Sequence, residues 1–165
     1  MGALVGDGEL KKLTLIKGAN DNASNNVQVV KAKTVTNMRK LLRLVVEHGT
    51  GGKANVNGYR VGGKTGTAEK VSGGTYKANA NLTSFISTFP VDDPKYIMLI
   101  MLDEPKGTKA TYGFETAGWN TVPVSGKIIS RIAPLLGIRP IYDMPGDNLP
   151  SPAIEAHNNV RTVSY

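Results

Sequence analysis

The sequence has no cysteine, two histidines and one tryptophan in 165 residues. The missing thiols exclude disulfide staples, a thiol nucleophile and cysteine-ligated zinc, and they fit any redox compartment. His48 and His157 stand far apart, one beside a glycine and one beside asparagine in the tail. Neither a metal site nor a serine–histidine pair is expected from them. His48 reads instead as a helix C-terminal residue, where positive charge is favoured. Long apolar runs are also missing. The longest, Ile97-Met98-Leu99-Ile100-Met101-Leu102, is far short of the ~20 residues of a spanning helix. The N-terminus lacks the basic, apolar, small-residue order of a leader, so this chain by itself reads as soluble. Acidic residues are outnumbered 13 to 20 by lysine and arginine, for a net charge of +7. That balance favours anionic partners at long range. The basic residues, among them Lys11, Lys31, Arg39, Lys53, Lys77, Lys95 and Arg131, form no dense block and few aromatics interleave them. A solvated basic surface is expected rather than a nucleic-acid site.

The chain is long enough for one domain with its own core. Two short apolar stretches, Leu13-Thr14-Leu15-Ile16 and Val27-Gln28-Val29-Val30, flank an asparagine-rich loop over 20–26 and read as strands or extended segments. Val35, Met38, Leu41, Leu42, Val45 and Val46 then fall at helical spacing, with Thr34 as a candidate N-cap and Gly49 as a stop. A glycine-rich stretch leads to a strand predicted over 59–70. Three glycines within it point to close approach of something to the backbone. After a loop over 71–80, a strand over 82–89, the turn Val91-Asp92-Asp93-Pro94 and a strand bounded by Tyr96 and Leu102 complete an antiparallel meander of three. The third strand is apolar on both faces, as a central, doubly covered strand should be. A helix with Val124, Ile128, Ile129, Ile132, Leu135 and Leu136 is predicted to end at Gly137. Trp119, just before it, reads as its anchor. Residues 144–165 read as a proline-rich surface tail. The fold class is α+β.

The chemical centre is Gly62-Gly63-Lys64-Thr65-Gly66-Thr67. Gly58-Tyr59-Arg60-Val61-Gly62-Gly63-Lys64-Thr65 satisfies a nucleotide-binding P-loop pattern letter for letter, and the apolar run before Asp103-Glu104 resembles the strand that usually accompanies it. A phosphate loop needs a strand before it and a helix opening at the Lys-Thr pair. Here the preceding segment is a polar glycine loop, and the following one is too glycine-rich for a helix. Adjacent Asp103 and Glu104 would point to opposite faces of a continuing strand, which makes them poor partners as paired acid and base.

The other reading is Lys64-Thr65-Gly66 on a strand, a motif of penicillin-binding proteins and class A β-lactamases. It is embedded in Tyr-Arg-Val-Gly-Gly-Lys-Thr-Gly-Thr-Ala-Glu-Lys, followed by Thr-Ser-Phe-Ile-Ser-Thr-Phe-Pro-Val-Asp-Asp-Pro-Lys-Tyr and Met-Leu-Asp-Glu-Pro-Lys-Gly. The series resembles the class B penicillin-binding proteins, in particular the division-type peptidoglycan D,D-transpeptidases of the penicillin-binding protein 3 kind. The helix and turn Met-Arg-Lys-Leu-Leu-Arg-Leu-Val-Val-Glu-His-Gly-Thr-Gly fit the same group.

The resemblance implies that residues 1–143 form the C-terminal part of a transpeptidase domain, a portion of the penicillin-binding/β-lactamase-like fold. Such an enzyme acylates a serine with a peptidoglycan stem peptide and passes the acyl group to an amine; β-lactams mimic the peptide. In that setting Lys64 lines the cleft, Thr65 and Thr67 hydrogen-bond the substrate carboxylate, and the Thr67 N–H supplies one arm of an oxyanion hole. Gly66 leaves room for a peptide along the strand. Tyr112 and Phe114 would form an apolar wall, or else are packed or merely exposed aromatics. No cofactor and no metal are implied. Taken alone, Lys64, Thr65 and Thr67 are ordinary strand residues; the pattern around them makes the site.

The family's acylating serine sits in Ser-x-x-Lys, and no serine here has a lysine three positions on. Ser24-Asn25-Asn26 matches a second family motif only in letters and is taken as coincidence. The expectation is that the first two motifs precede Met1 in a longer parent, a protein of the bacterial inner membrane with a periplasmic catalytic domain. This chain would lack that N-terminal half, would be inactive alone, and would expose the edge of strand 96–102 to a second copy. The competing readings are a P-loop nucleotide binder and a non-catalytic interaction module.

Overall fold

The computed structural model describes residues 1–15, 26–72 and 74–142. Ile16, Ser24 and Asn25 of the Ser24-Asn25-Asn26 run, and the tail over 144–165 fall outside them. Helices pack against both faces of a three-stranded antiparallel sheet.

The lead-in begins with a short helix, α1 (Gly2–Val5), that the sequence pattern did not suggest. A two-residue ladder follows, in which β1 (Glu9–Leu10) pairs with β2 (Val27–Gln28). The stretch Leu13-Thr14-Leu15, read as a strand or an extended segment, joins no ladder, and Leu13 and Leu15 are exposed. Apolar letters alone do not make a ladder, which also needs a strand in register beside them.

Helix α2 (Ala32–Glu47) buries Val35, Leu42 and Val46, spaced so that one stripe faces the core. It starts before Thr34, with extended Lys31 as N-cap and no side-chain cap, because Val29 and Val30 are still bonded to the carbonyl of Gly8. His48 caps its C-terminal end, as expected. Two arginines on α2 fasten its surroundings. Arg39 donates to the carbonyls of Val5, Gly6 and Asp92 at 2.6, 2.8 and 3.0 Å. Arg43 donates to Val61 O at 2.8 Å and to Asn55 Oδ1 at 3.1 Å.

The sheet has the order β3-β4-β5, with β3 (Gly62–Ser72), β4 (Thr75–Phe89) and β5 (Tyr96–Asp103). The meander is as expected, with three differences. Tyr59 and Arg60 belong to a turn, not to the strand, since Gly58 and Arg60 have φ of 83° and 39°. The hairpin between β3 and β4 runs out to the pair Ser72 and Thr75, through what read as a loop over 71–80. Backbone pairing needs no hydrophobic alternation, so periodicity missed this stretch. Finally, β5 is an edge strand of this sheet and β4 is central.

Residues directly opposite one another share a face. One face carries Gly63, Thr65 and Thr67 of β3, Thr83, Phe85, Ser87 and Phe89 of β4, and Met98, Ile100 and Leu102 of β5. Helix α3 (Thr121–Leu135) packs on it, and the core joins Phe85, Phe89, Val46, Val61, Val122, Ile129 and Ala133. The buried stripe of α3 is Thr121, Val122, Ser125, Gly126, Ile129 and Ala133, while Val124 and Leu135 are exposed. Small residues let the helix come close. A Cβ at Gly126 would lie 2.7 Å from the carbonyl oxygen of Lys53. The other face carries Gly62, Lys64 and Gly66, then Ser84, Ile86 and Thr88, then Ile97, Leu99 and Met101. Near Gly62, α2 and Val91 close over it; a Cβ at Gly62 would meet Val91 Cγ2 at 2.5 Å and Arg43 N at 3.4 Å. Further along, it is open.

Candidate functional site

The Lys-Thr-Gly-Thr run lies within β3, whose only strand neighbour among the described residues is β4. Strand alternation splits the run. Lys64 and Gly66 face the open side of the sheet, and Thr65 and Thr67 face the side of α3. The expected site residues therefore meet only across the edge of one strand. The chain continues as strand to Ser72, so no helix N-terminus opens at Lys64-Thr65 to hold phosphates.

The glycines divide by cause. A Cβ at Gly63 would sit 2.5 Å from the Phe85 ring and 2.7 Å from Ile86 O, so internal packing demands that glycine, as it does Gly62. At Gly66 the nearest obstacle is the Ser84 hydroxyl at 2.6 Å, a group that can rotate away. Packing does not account for Gly66.

The Lys64 ammonium curls back to donate to Thr65 O at 2.9 Å. On the other face, the Thr65 hydroxyl lies 2.9 Å from that of Thr50, and the Thr67 hydroxyl accepts the N–H of Ala117 at 3.2 Å. Thr50, Lys53, Thr65, Thr67, Thr116, Ala117 and Trp119 line an open groove of about 540 Å³. Trp119 forms one wall. Its ring stacks on Phe114 with centroids 5.1 Å apart, meets Tyr112 edge-on at 5.7 Å, and carries the Lys53 ammonium 3.2 Å from its centroid. Tyr112 is thus behind the wall rather than on it, is 79% exposed, and has a left-handed backbone with φ of 53°. Trp119 sits in a short 3₁₀ turn, Ala117–Trp119, leading into α3. Asn120 caps the helix by accepting from Thr121 N at 2.6 Å, and the Thr83 hydroxyl reaches the same oxygen at 2.9 Å. The groove is thereby fastened to the central strand.

Asp103 and Glu104 do not join the site. Both grip the Lys70 ammonium, at 2.9 and 3.0 Å, because the left-handed backbone of Glu104, φ of 46°, breaks the strand alternation that would separate them. The two carboxylates hold the Lys70 ammonium above the ordinary lysine range. Among the described residues no His, Cys, Asp and Glu cluster could hold a metal.

Sequence reasoning missed Thr50, Lys53 and the Ala117 N–H. Thr50 is 15 positions from Thr65, and Ala117 is 50 from Thr67, so no local spacing links them.

The fold and site define an α+β scaffold bearing Lys-Thr-Gly on an edge strand, and comparison with known proteins narrows it. The penicillin binding protein transpeptidase domain family matches residues 1–120. The chain belongs to that family. It is 42% identical over 148 residues to a probable peptidoglycan D,D-transpeptidase FtsI of Caulobacter vibrioides, covering 84% of this chain and 25% of that one. It is 42% identical over 113 residues to the stage V sporulation protein D of Bacillus subtilis, covering 68% of this chain and 17% of that one. Among solved structures, the transpeptidase domain of Burkholderia pseudomallei penicillin-binding protein 3 superposes with a TM-score of 0.70 at 33% identity, over 87% of this chain and 41% of that domain. A Mycobacterium tuberculosis penicillin-binding protein 3 complexed with ampicillin superposes at 0.62 with 30% identity, over 74% of this chain and 28% of that one. The chain spans about a quarter of the Caulobacter relative's length. No helix among the described residues is long and apolar enough to cross a membrane.

Proposed function

We propose that this chain supplies the substrate-carboxylate and oxyanion side of a serine D,D-transpeptidase cleft that cross-links peptidoglycan stem peptides. The observation that carries the reading is Lys-Thr-Gly-Thr on a strand with one edge unpaired by any strand among the described residues, with the lysine on one face and both threonine hydroxyls in a groove on the other. A stem peptide ending in D-Ala-D-Ala lies along that edge of β3, an edge-pairing mode for which Gly66 leaves room. The hydroxyls of Thr65 and Thr67 hold its carboxylate; each bond to a charged group is worth about 1.5–3 kcal/mol. The Thr67 N–H stabilises the oxyanion as a serine attacks the penultimate carbonyl. The terminal D-alanine leaves, and the acyl group then passes from the serine to an amine of a neighbouring strand. Lys64, on the open face, orients the proton-shuttling groups near that serine. β-Lactams occupy the same place. Tyr112 acts through Trp119, as support for the groove wall.

The serine and its lysine come from outside residues 1–165, in the N-terminal part of the same transpeptidase domain. The parent is a protein of the bacterial inner membrane working on its periplasmic side. Without the nucleophile, a lysine, two threonines and half an oxyanion hole do not form an acyl-enzyme. The test is incubation of the 165-residue chain with a fluorescent penicillin, followed by a denaturing gel. No covalent band is expected on this chain. A chain extended with the preceding part of a relative's domain is expected to label, and Lys64→Ala to abolish that labelling. A band on the chain alone, or labelling of the extended protein that is indifferent to Lys64, overturns the reading.

The non-catalytic module is favoured by one observation, an uncovered apolar surface. Ile97, Leu99 and Met101 of edge strand β5 are 44%, 53% and 51% exposed. Strand edges of this kind recruit another strand. In the isolated chain, the partner is a second copy at high concentration; in the parent, it is the rest of the domain.

A further inference from the structure

The groove needs a positive charge to hold a carboxylate, and Lys64 faces the other side of β3. The cation lining the groove is Lys53, placed over Trp119 and without an ion pair among the described residues. The proton of Thr65 raises a second question. Its hydroxyl and that of Thr50 are 2.9 Å apart, and either can be the donor. A hydroxyl has one proton. If Thr65 gives its proton to Thr50, Thr65 itself offers the groove only lone pairs and no proton for a carboxylate. If Thr50 donates, the Thr65 proton is free for the ligand. Thr67 has no such ambiguity, since accepting the Ala117 N–H occupies a lone pair and leaves its proton unspent.

We propose that Thr50 is a positioning residue that turns the Thr65 hydroxyl into a donor, and that Lys53, held on Trp119, is the cation that selects a free C-terminal carboxylate over a neutral amide. The proposal rests on the reading of the groove as the carboxylate site. An anionic ligand sets the direction Thr50 to Thr65 to carboxylate, and Lys53 stabilises the same charge through space. An amide gains neither effect. Preference for the acid is thus built from residues outside the Lys-Thr-Gly run.

Trp119 is the only tryptophan in the sequence, so its fluorescence reports on this groove alone. The 165-residue chain is titrated with N-acetyl-D-alanyl-D-alanine and with its C-terminal amide, and the midpoints are compared. The acid is expected to bind at least about tenfold more tightly, the loss typical of one charge-assisted hydrogen bond. Thr50→Val and Lys53→Met should each bring the acid-to-amide ratio towards one, and Thr50→Ser should restore it, with unchanged circular dichroism. The ratio is a readout that a purely structural role would not move. Retained acid preference in Thr50→Val or Lys53→Met overturns the proposal. If that preference then disappears in Thr65→Val, the carboxylate-site reading survives alone. Equal binding of acid and amide by the unaltered chain, or no binding of either, overturns both.

Discussion

The two faces of the three-stranded sheet are built from the same strands and differ in what covers them. On one, Thr83, Phe85, Ser87 and Phe89 are buried against α3 and the core. On the other, the row of Lys64, Ile86 and Leu99 and the row of Gly66, Ser84 and Met101 lie open beyond the reach of α1 and α2. The covered face makes the fold and carries the groove of Thr65 and Thr67; the open face carries Lys64 beside apolar side chains that no described residue covers. A soluble domain rarely leaves such a patch without a use. The cost of a substitution should therefore divide by face rather than by strand, and the division can be tested.

The largest effect should come from the covered face. Phe85→Ala removes a fully buried ring over Gly63, and a loss of about 3–5 kcal/mol is expected by urea unfolding. A loss below ~1 kcal/mol would break the comparison. Next come the glycines. Gly63→Ala must push the Phe85 ring and the Ile86 carbonyl, at about 1–3 kcal/mol, whereas Gly66→Ala displaces only the Ser84 hydroxyl and should unfold at nearly the unaltered midpoint. Equal costs would mean that Gly66, too, is a packing glycine. A smaller change is expected for Leu99→Ala on the open face, under about 1 kcal/mol because half the side chain already meets solvent. Leu99→Lys with Met101→Lys should leave the fold intact and abolish any concentration-dependent growth in mass by light scattering. The chain remaining monomeric before substitution would remove self-association from the account.

The smallest effect is electrostatic and lies beyond the face comparison, at the far end of β3. Asp103 and Glu104 hold the Lys70 ammonium above its ordinary value of 10.5. The folded chain keeps this proton to higher pH than the unfolded one. The tie therefore contributes fully below the unfolded value and is lost as pH rises through the folded one. Thermal unfolding of Lys70→Met compared with the unaltered chain should show a gap that closes as the pH is raised past 10.5. A gap independent of pH would assign the effect to packing of the lysine stem.

The order of α2, the meander and α3 was legible because each has its own repeat: Val35, Leu42 and Val46 at helical spacing, and apolar strands around Asp92-Asp93. The faces of α3 were less so. Its inner stripe is threonine, serine and glycine as much as isoleucine, and apolar counting favoured the exposed Val124 and Leu135 instead. Close approach to the turn holding Lys53 required small side chains there, and a distance between elements leaves no periodic mark. The site was half legible in the same way. Lys64, Thr65, Gly66 and Thr67 stand together in the chain and announce themselves by pattern.

By itself, then, the sequence determined the family, the strand bearing the Lys-Thr-Gly run and the absence of a Ser-x-x-Lys serine, since these are matters of neighbouring letters. The tertiary structure alone decided that β5 is an edge, that Lys64 and the two threonines look to opposite sides, and that Thr50, Lys53 and Trp119 complete the groove. The physical reason is the same for all three. Which backbone groups are left unpaired, and which side chains share a space, depends on contacts between residues far apart in the chain.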